Sequence, residues 1–428
     1  MVIPIKTMLF IVLFWVMIIM EVANMIERVL YYDKIEKFID KPLIKVITGI
    51  RRSGKSTMMK LIQKRLIEKG VSNDDIIYIN FESMKYYDMR VVKKFYNFII
   101  ESTCSDRRQY LFFDEIQLVE DWEEAINSFL VDLNADIYIT GSNSKLLSSE
   151  LSTLLTGRYI QFRLYPLSFN EMIEFHDTFS GKTDKDKLIW HYIRRGGFPA
   201  IHISDYDEDT AYMVINDIYD SIVLRDVVER HRIRNVELLN RIMKYVMDNV
   251  GNTFSAKNIS DYFKSQYRKV DINTVYNYIE ALESSFVISK VNRYDLLGKE
   301  ILKTQEKFYL ADQGIQHAVF GYRDRNISGV IENIIYNELC RRGYNVYIGK
   351  LNSKEIDFIA EKKNEKVYIQ VSYKMENEKT ILREFEPLLA IKDHYPKYVV
   401  SMDEYFNDNI EGVRHIGLYD FITSDSFI

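Results

Sequence analysis

A glycine-rich segment of the chain has the residue types that bind phosphate groups. Gly49–Thr57 reads GIRRSGKST, which has the spacing G-x-x-x-x-G-K-S. The glycines allow backbone N–H groups to wrap around a β-phosphate, the ammonium of Lys55 can reach β- and γ-phosphates, and the hydroxyl of Ser56 can bind Mg²⁺. We therefore expect this loop to hold nucleotide phosphates through Gly49, Ile50, Arg51, Arg52, Ser53, Gly54, Lys55, Ser56 and Thr57.

A second candidate group is an acidic pair that follows a hydrophobic segment. Tyr110–Phe113 reads YLFF and leads directly into Asp114 and Glu115. Such a segment suits a strand beside the strand of the phosphate loop. Asp114 would then hold Mg²⁺ through water, and Glu115 would polarise the attacking water.

Two further polar positions could place water or stabilise charge at a γ-phosphate. The segment Asp136–Thr140 leads into a polar turn, in which Ser142 or Asn143 would sense the γ-phosphate; an ordinary turn is the alternative. Arg158 comes just before another strand-like segment. It could donate charge to a γ-phosphate in its own chain or in a neighbouring subunit of a homo-oligomer, or it could be a surface cation.

These residues need elements that bring them to one place. Five short segments of strand character alternate with segments of helical periodicity, as in a parallel sheet with helical crossovers. The strand-like segments are 43–48, 76–81, 110–113, 136–140 and 159–164. We expect residues 43–165 to form a doubly wound parallel α/β sheet with nucleotide at the carboxyl ends of its strands.

Composition places the whole chain among multidomain globular proteins. Its 428 residues exceed a typical domain, and 47% hydrophobic residues with only 6 Pro and 17 Gly exclude a collagen-like or largely disordered chain. The formal net charge of −5 excludes a global positive field for nucleic acid. The two cysteines form no CxxC pair, which argues against a disulfide framework or a zinc site and favours the reducing cytoplasm.

The N-terminal segment Met8–Met20 consists of 13 apolar residues. This is shorter than the ~20 residues that a membrane-spanning helix needs. A weak membrane anchor and a buried helix are possible interpretations. We favour a start codon assigned too early, because Met25 opens a segment with ordinary amphipathic character. No membrane contact is expected.

A set of short motifs is spread over roughly residues 25–420. They are GIRRSGKS from Gly49, INFES from Ile79, FFDEIQ from Phe112, ITGSNS from Ile139, TGRYIQFRLYPLSFNE from Thr156, RGGFP from Arg195, IYDSIVLRDVVER from Ile218, IENIIYNEL from Ile331, IDF from Ile356 and YIQVSY from Tyr368. Together they resemble the AAA-type ATPases of archaea and bacteria that carry a C-terminal DUF4143 domain. The resemblance implies an AAA-like ATPase core, a winged-helix element and a nuclease-like end.

The middle of the chain has the element order of a winged helix. Three segments of helical periodicity are followed by two strand-like segments, at 236–250, 255–264, 273–283, 286–292 and 307–310. The candidate DNA contacts are Asn273, Thr274, Asn277 and Glu280 on the third helix and Lys264, Arg268 and Lys269 before it. The basic cluster is small and Glu280 is acidic, so docking of a protein partner is the alternative. Arg225 and Arg230 could act on nucleotide or be salt-bridged helix residues.

The C-terminal part has a helix followed by three strand-like segments, at 329–342, 345–350, 354–360 and 366–373. This order resembles the core of PD-(D/E)XK nucleases. Such sites bind Mg²⁺ with an acid on the helix, an Asp on the second strand and an (E/Q)-x-K motif on the third. Glu332, Asp357 and Gln370 fit the first three positions, but Ser372 stands where the lysine is expected.

Two residues could compensate for this departure. Strand alternation would place Lys374 on the same face as Gln370, and Glu355 could supply a third carboxylate. The alternative is a degenerate nuclease fold that is kept for binding. A Mg²⁺-dependent nuclease and a binding module are therefore both open at this stage.

The sequence thus predicts four segments: an N-terminal extension, an AAA-like P-loop domain, a helical and winged-helix region and a DUF4143-type nuclease-like α/β domain, at 1–24, 25–180, 181–300 and 301–428. The leading hypothesis is an ATPase with ATP and Mg²⁺ as cofactors, whose nucleotide state switches the C-terminal domains on DNA or on a protein partner. Its catalytic residues would be Lys55, Glu115, Asn143 and Arg158, with Ser56 and Asp114 on the metal. The alternatives are an ATP-controlled nuclease and a nucleotide-gated scaffold.

Overall fold

Two units make up the described chain, and each is built around its own β-sheet. The computed structural model describes residues 26–104, 106–144, 155, 157–179, 184–204, 206–266, 270–323, 326–403 and 409–424. The first unit comprises the described residues of 26–49 and 53–164, and the second comprises 50–52 and those of 165–424. The predicted boundaries at 180/181 and 300/301 differ from this division. The predicted extension, 1–24, lies outside the described residues.

Five parallel strands form the sheet of the first unit. They are β1 (Ile44–Thr48), β2 (Ile76–Asn80), β3 (Gln109–Asp114), β4 (Ala135–Gly141) and β5 (Tyr159–Arg163). Their order in the sheet is β2-β3-β4-β1-β5. All five lie where the sequence predicts strands, because near-continuous apolar segments suit a parallel sheet that is buried on both faces.

Helices cover both faces of this sheet, which confirms the prediction of a doubly wound arrangement. The helices are α1 (Val29–Glu36), α2 (Lys55–Glu68), α3 (Val92–Ser102) and α4 (Trp122–Asp132), with 3₁₀ turns at Asn73–Asp75, Met84–Arg90 and Ile116–Leu118. Side chains of one strand alternate between the faces. Phe113 packs with Phe95 of α3 and Phe129 of α4, whereas Phe112 belongs to the cluster around Met58 of α2.

The strand order corrects one expectation. We expected the strand that ends in Asp114 to lie beside β1, but β4 lies between β1 and β3 and pairs with both. The apolar pattern of a buried strand predicts burial but not its neighbours, so the order depends on the crossover connections. The polar turn after β4 consequently comes between the glycine-rich loop and the acidic pair.

The second unit contains eleven helices within the described residues. They are α5 (Phe169–Phe179), α6 (Lys185–Arg195), α7 (Pro199–His202), α8 (Glu208–Ser221), α9 (Val236–Asp248), α10 (Ala256–Ser265), α11 (Ile272–Ser284), α12 (Gly314–Phe320), α13 (Ile327–Arg341), α14 (Glu378–Leu389) and α15 (Leu418–Thr423). A π-helix at Ile222–Glu229 continues α8. Helices α9, α10 and α11 lie at the positions predicted for a winged helix, and that identity stays a prediction. In the part of the chain that the structure describes, none of the helices has the length and apolar character to cross a membrane.

Eight strands form the sheet of the second unit. They are β6 (Ile288–Asp295), β7 (Glu300–Leu310), β8 (Asn345–Leu351), β9 (Lys354–Lys362), β10 (Glu365–Val371), β11 (Lys397–Ser401), β12 (Asn409–Ile410) and β13 (Val413–Gly417). Their order is β12-β13-β11-β10-β9-β8-β6-β7. The hairpin of β6 and β7, predicted as a wing, joins this sheet because β6 pairs with β8. A boundary at 300/301 would therefore separate two paired strands.

A buried carboxylate explains the RGGFP motif of the second unit. Asp312 accepts hydrogen bonds from the backbone N–H groups of Gly197 (2.6 Å) and Gly314 (2.8 Å). A Cβ at Gly196 would lie 1.8 Å from Oδ1 of Asp312, and one at Gly197 would lie 2.2 Å from the carbonyl oxygen of Leu167. The motif therefore needs glycine because two backbone segments and a carboxylate approach one another closely.

We expect Gly197→Ala to lower the free energy of unfolding by about 1–3 kcal/mol, because the added methyl group forces the backbone at Leu167 to move. The matched control is Gly298→Ala, whose Cβ would meet no atom closer than 3.5 Å. Urea unfolding of both variants and of the wild type measures the difference. Equal midpoints for the two variants would contradict this account of the motif.

Candidate functional site

The glycine-rich loop follows the carboxyl end of β1 and has a backbone that requires glycine. Gly49 has φ +145° and Gly54 has φ +97°, both outside the range that L side chains favour. A Cβ at Gly49 would also lie 2.1 Å from the carbonyl oxygen of Leu164. Arg52 adopts φ +66° without being glycine. The first and last glycines of the motif are thus needed for the shape of the loop.

The loop ends at a helix terminus with the features of an anion site. Helix α2 begins at Lys55, and Gly54 before it supplies no side-chain cap for the first N–H groups. Oγ of Ser53 is fully buried and has no hydrogen-bond partner among the described residues. Ser56 is half-buried and Thr57 is exposed. A helix N-terminus without a side-chain cap and the buried, unpartnered hydroxyl of Ser53 fit the phosphate groups of a nucleotide.

Arg28 supports this loop and was missed by the sequence reasoning. Its guanidinium donates from Nη1 to the carbonyl oxygen of Ser53 at 2.9 Å and lies 4.6 Å from the centroid of the Tyr31 ring. Arg28 is only 5% exposed although it precedes α1 by one residue. A basic residue at the start of a predicted amphipathic helix gives no signal that its partner is a loop some 25 residues away.

Lys55 connects the loop to the acidic pair. Its ammonium donates to the carbonyl oxygen of Gly49 at 3.1 Å and lies 3.8 Å from Oε1 of Glu115. Lys55 is buried, and its side chain is 4% exposed. The structure therefore brings together the cation predicted for phosphate and the carboxylate predicted for water.

Asp114 is held by donors from both neighbouring strands. Its Oδ1 accepts a hydrogen bond from the Thr140 hydroxyl, and its Oδ2 accepts one from the Tyr78 hydroxyl (2.8 Å) and one from Nδ2 of Asn80 (3.1 Å). Burial and the adjacent Asp114 raise the pKa of Tyr78, so this hydroxyl stays protonated and donates. Three neutral donors stabilise the ionised carboxylate without blocking all of its lone pairs.

Glu115 occupies a left-handed backbone conformation directly after β3, with φ +55°. Its backbone N–H donates to the Thr140 hydroxyl at 3.0 Å. Oε2 of Glu115 accepts hydrogen bonds from Gln117 and from the hydroxyl of Ser142 (3.3 Å). Of the two predicted sensors, Ser142 thus contacts Glu115, and Asn143 is buried next to it in the chain.

Tyr78, Asn80 and Thr140 are therefore functional neighbours that the sequence reasoning did not name. A signal was present: Tyr78 and Asn80 are two residues apart at the carboxyl end of β2, so they lie on the same face. Their contact with Asp114 could not be predicted from the sequence, because it depends on the pairing of β2 with β3.

Arg158 lies at the other edge of the sheet. It is exposed and precedes β5, and its carbonyl oxygen accepts a hydrogen bond from the N–H of Ile44, the first residue of β1. The glycine-rich loop follows Thr48 at the opposite end of β1, which at ~3.3 Å per residue is more than 10 Å away. The expectation that Arg158 acts on a phosphate bound by its own chain is wrong, because parallel strands place their starts and ends at opposite edges.

A carboxylate cluster in the second unit surrounds one lysine. Nζ of Lys307 lies 3.2 Å from Oε2 of Glu332, 2.9 Å from Oε1 of Glu355 and 3.1 Å from Oδ1 of Asp357. Although burial opposes the charge, the neighbouring Tyr309 and the three carboxylates raise the pKa of Lys307 well above its usual value. Burial and the adjacent Asp357 raise the pKa of Glu332. The structure thus assembles Glu332 and Asp357, as predicted, and adds Lys307.

Gln370 and Lys374, the other two residues predicted for the nuclease-like site, lie in different surroundings. Oε1 of Gln370 lies 3.4 Å from the backbone nitrogen of Asp357, so Gln370 borders the cluster. Strand β10 ends at Val371, so strand alternation does not extend to Lys374. Lys374 is exposed and its ammonium lies 5.5 Å from the centroid of the Tyr373 ring. The argument that placed Lys374 at the carboxylates is therefore wrong.

The candidate DNA contacts on α11 are accessible only in part. Asn273, Asn277 and Glu280 are exposed and Thr274 is half-buried. Lys264 pairs with Asp261 at 3.2 Å, while Arg268 and Lys269 lie outside the described residues. Arg225 is exposed, and Nη2 of Arg230 lies 3.2 Å from Oδ1 of Asp226, the salt-bridged arrangement that was one of the two expectations for this residue.

Comparison with protein families matches residues 41–173 to an AAA domain and residues 186–326 to DUF8612, a domain of unknown function. The first match confirms the predicted AAA-type P-loop ATPase domain. The second corrects the resemblance to the DUF4143 proteins, because the region after the ATPase domain belongs to a different domain family. The nuclease-like interpretation gains no support from either match.

Two relatives match almost the whole chain. An "Uncharacterized protein" of Haemophilus influenzae is 38% identical over 93% of this chain and 98% of its own length, and "Uncharacterized protein MJ1544" of Methanocaldococcus jannaschii is 30% identical over 88% and 89%. Among solved structures, a Walker-type ATPase of Pyrococcus abyssi superposes with a TM-score of 0.46 and 14% identity, covering 68% of this chain and 95% of that one. The chain therefore belongs to the protein family of the two relatives and carries an AAA-type P-loop ATPase domain.

Proposed function

We propose that the protein binds ATP with Mg²⁺ at Gly49–Thr57 and hydrolyses it with the help of the acidic pair. The observation that carries the proposal is the position of Lys55, whose ammonium lies between the Gly49 carbonyl oxygen and the Glu115 carboxylate. A phosphate bound by the loop would therefore meet the cation and the water-polarising acid at one place. The buried, unpartnered hydroxyl of Ser53 supports the same location.

Each residue has a role that follows from its charge and position. Lys55 neutralises β- and γ-phosphate oxygens, and Glu115 accepts a hydrogen bond from the attacking water and aligns it. Ser142 or Asn143 senses the γ-phosphate, and the contact of Ser142 with Glu115 favours Ser142 as a link between sensor and acid. Ser56 and Asp114 hold Mg²⁺, which neutralises charge on the phosphates when bound.

We further propose that Arg158 acts on nucleotide that is bound by a neighbouring subunit. It is exposed and remote from the loop of its own chain, so only a homo-oligomer could bring it to a phosphate.

The nucleotide state would then change the conformation of the second unit and its hold on a partner. The exposed amides of Asn273 and Asn277 on α11 support DNA as that partner. An electrophoretic shift that weakens steeply between two salt concentrations would support DNA contact. A shift that is absent in both would favour a protein partner on the same surface.

We expect Lys55→Ala to weaken ATP binding by at least about tenfold and to remove nearly all hydrolysis, because the phosphates lose their principal cation. Lys60→Ala is the control, since Lys60 is an exposed residue of the same helix. Equilibrium binding of a fluorescent ATP analogue and a phosphate-release assay measure the two effects. If the Lys55 variant bound the ATP analogue as tightly as the wild type does, the nucleotide would have to bind elsewhere.

Glu115→Gln should retain ATP while hydrolysis falls at least about tenfold, because an amide polarises water poorly. Single-turnover hydrolysis separates this effect from binding. Hydrolysis at the wild-type rate would remove Glu115 from the role of water-positioning acid.

Tyr78→Phe should raise the Mg²⁺ concentration for half-maximal hydrolysis about fivefold, because Asp114 loses one of its three donors. Tyr87→Phe is the control, since Tyr87 lies on the surface of the same unit. A Mg²⁺ titration at saturating ATP measures the shift. Identical titration curves for the two variants would argue against Asp114 as the metal-binding acid.

A further inference from the structure

The nuclease-like part of the second unit raises the question of whether its carboxylates fit a divalent cation. Its element order implies Mg²⁺ held by Glu332, Asp357 and a third oxygen ligand. Such an ion needs carboxylate oxygens at 2.0–2.1 Å around one point. Within the described ranges, no group of three or more His, Cys, Asp or Glu side chains has an arrangement that would hold a metal ion.

A lysine side chain fills the point on which the carboxylates converge. Nζ of Lys307 lies 2.9–3.2 Å from one oxygen each of Glu332, Glu355 and Asp357. The ammonium donates hydrogen bonds to Oε2 of Glu332 and Oδ1 of Asp357 and forms an ion pair with Oε1 of Glu355. The side chain of Lys307 is 2% exposed, so bulk water cannot replace these contacts.

Two further donors contact the carboxylates of the cluster. Oε2 of Glu332 accepts a hydrogen bond from the Tyr309 hydroxyl at 3.0 Å, and Oδ2 of Asp357 accepts one from the backbone N–H of Val371 at 2.9 Å. A divalent cation bound through these two oxygens would have to displace their donors, and it would lie close to the buried positive charge of Lys307. The positive charges of the metal ion and of the Lys307 ammonium would then repel each other strongly in the protein interior.

The geometry points to Lys307 as a built-in cation that takes the place of a catalytic metal, so that the cluster neither binds a divalent ion nor cleaves DNA. Lys307 and Tyr309 lie on one face of β7, and Glu355 and Asp357 lie on one face of β9, so both strands direct alternate side chains to this point. Lys307 therefore does not take over the role of the catalytic lysine that the nuclease motif has at the position of Ser372. Its ammonium donates to two of the carboxylates and is paired with the third, so it occupies the point where a metal ion would have to lie.

Removal of Lys307 should consequently create a divalent-metal site. Three carboxylates without a counter-ion bind Mn²⁺ readily, because hard oxygen ligands suit this ion and no ammonium repels it. The probe is Mn²⁺ itself, titrated without nucleotide into the full chain and followed by electron paramagnetic resonance. Any weak binding at the glycine-rich loop is measured as the signal that remains when Asp357 is replaced by Asn.

We expect the wild type, Asp357→Asn and Lys290→Ala to give the same titration curve, since Lys290 is an exposed lysine on the neighbouring strand β6. Lys307→Ala should bind one Mn²⁺ more than the wild type does, and Lys307→Ala with Asp357→Asn should lose this additional ion. Wild-type binding that disappears in Asp357→Asn would overturn the proposal, as would metal-dependent DNA cleavage that disappears in that variant. The wild-type comparison decides the matter even if Lys307→Ala fails to fold, and it does not depend on ATP hydrolysis.

Discussion

The parallel alignment of the five strands in the first unit is the constraint on which its chemistry depends. Because all five strands run in one direction, the glycine-rich loop after β1, the acids after β3 and the polar turn after β4 meet at one edge. The hydroxyl of Thr140 links two of these segments, since it donates to Asp114 and accepts from the N–H of Glu115. The same alignment separates Arg158 from the loop of its own chain.

Much of this unit could be predicted because its signals are local. Each buried strand is a short apolar segment, and the G-x-x-x-x-G-K-S spacing lies between a strand and a helix as its chemistry requires. The order of the strands and the partners of Asp114 could not be predicted, since they depend on contacts between distant segments. Tyr78 and Asn80 became meaningful only through the pairing of β2 with β3.

Less of the second unit could be predicted from the sequence, because buried polar contacts between distant segments determine its key features. The RGGFP motif is explained by Asp312, more than a hundred residues later, and Lys307 joins carboxylates from β9 although β7 and β9 are not neighbours in the sheet. The sequence predicts Lys374 near Gln370 because the apolar pattern gives no sign that β10 ends at Val371. Element types were predictable there, whereas the residues that meet were not.

The most direct test of the central claim is a crystal structure of the protein with Mg²⁺ and a non-hydrolysable ATP analogue. The account predicts a triphosphate along Gly49–Thr57, with Nζ of Lys55 within about 3 Å of a β- or γ-phosphate oxygen and Glu115 facing the γ-phosphate. It also predicts that any arginine at the γ-phosphate comes from a neighbouring subunit. A nucleotide bound away from this loop, or a Glu115 side chain turned away from the γ-phosphate, would contradict it.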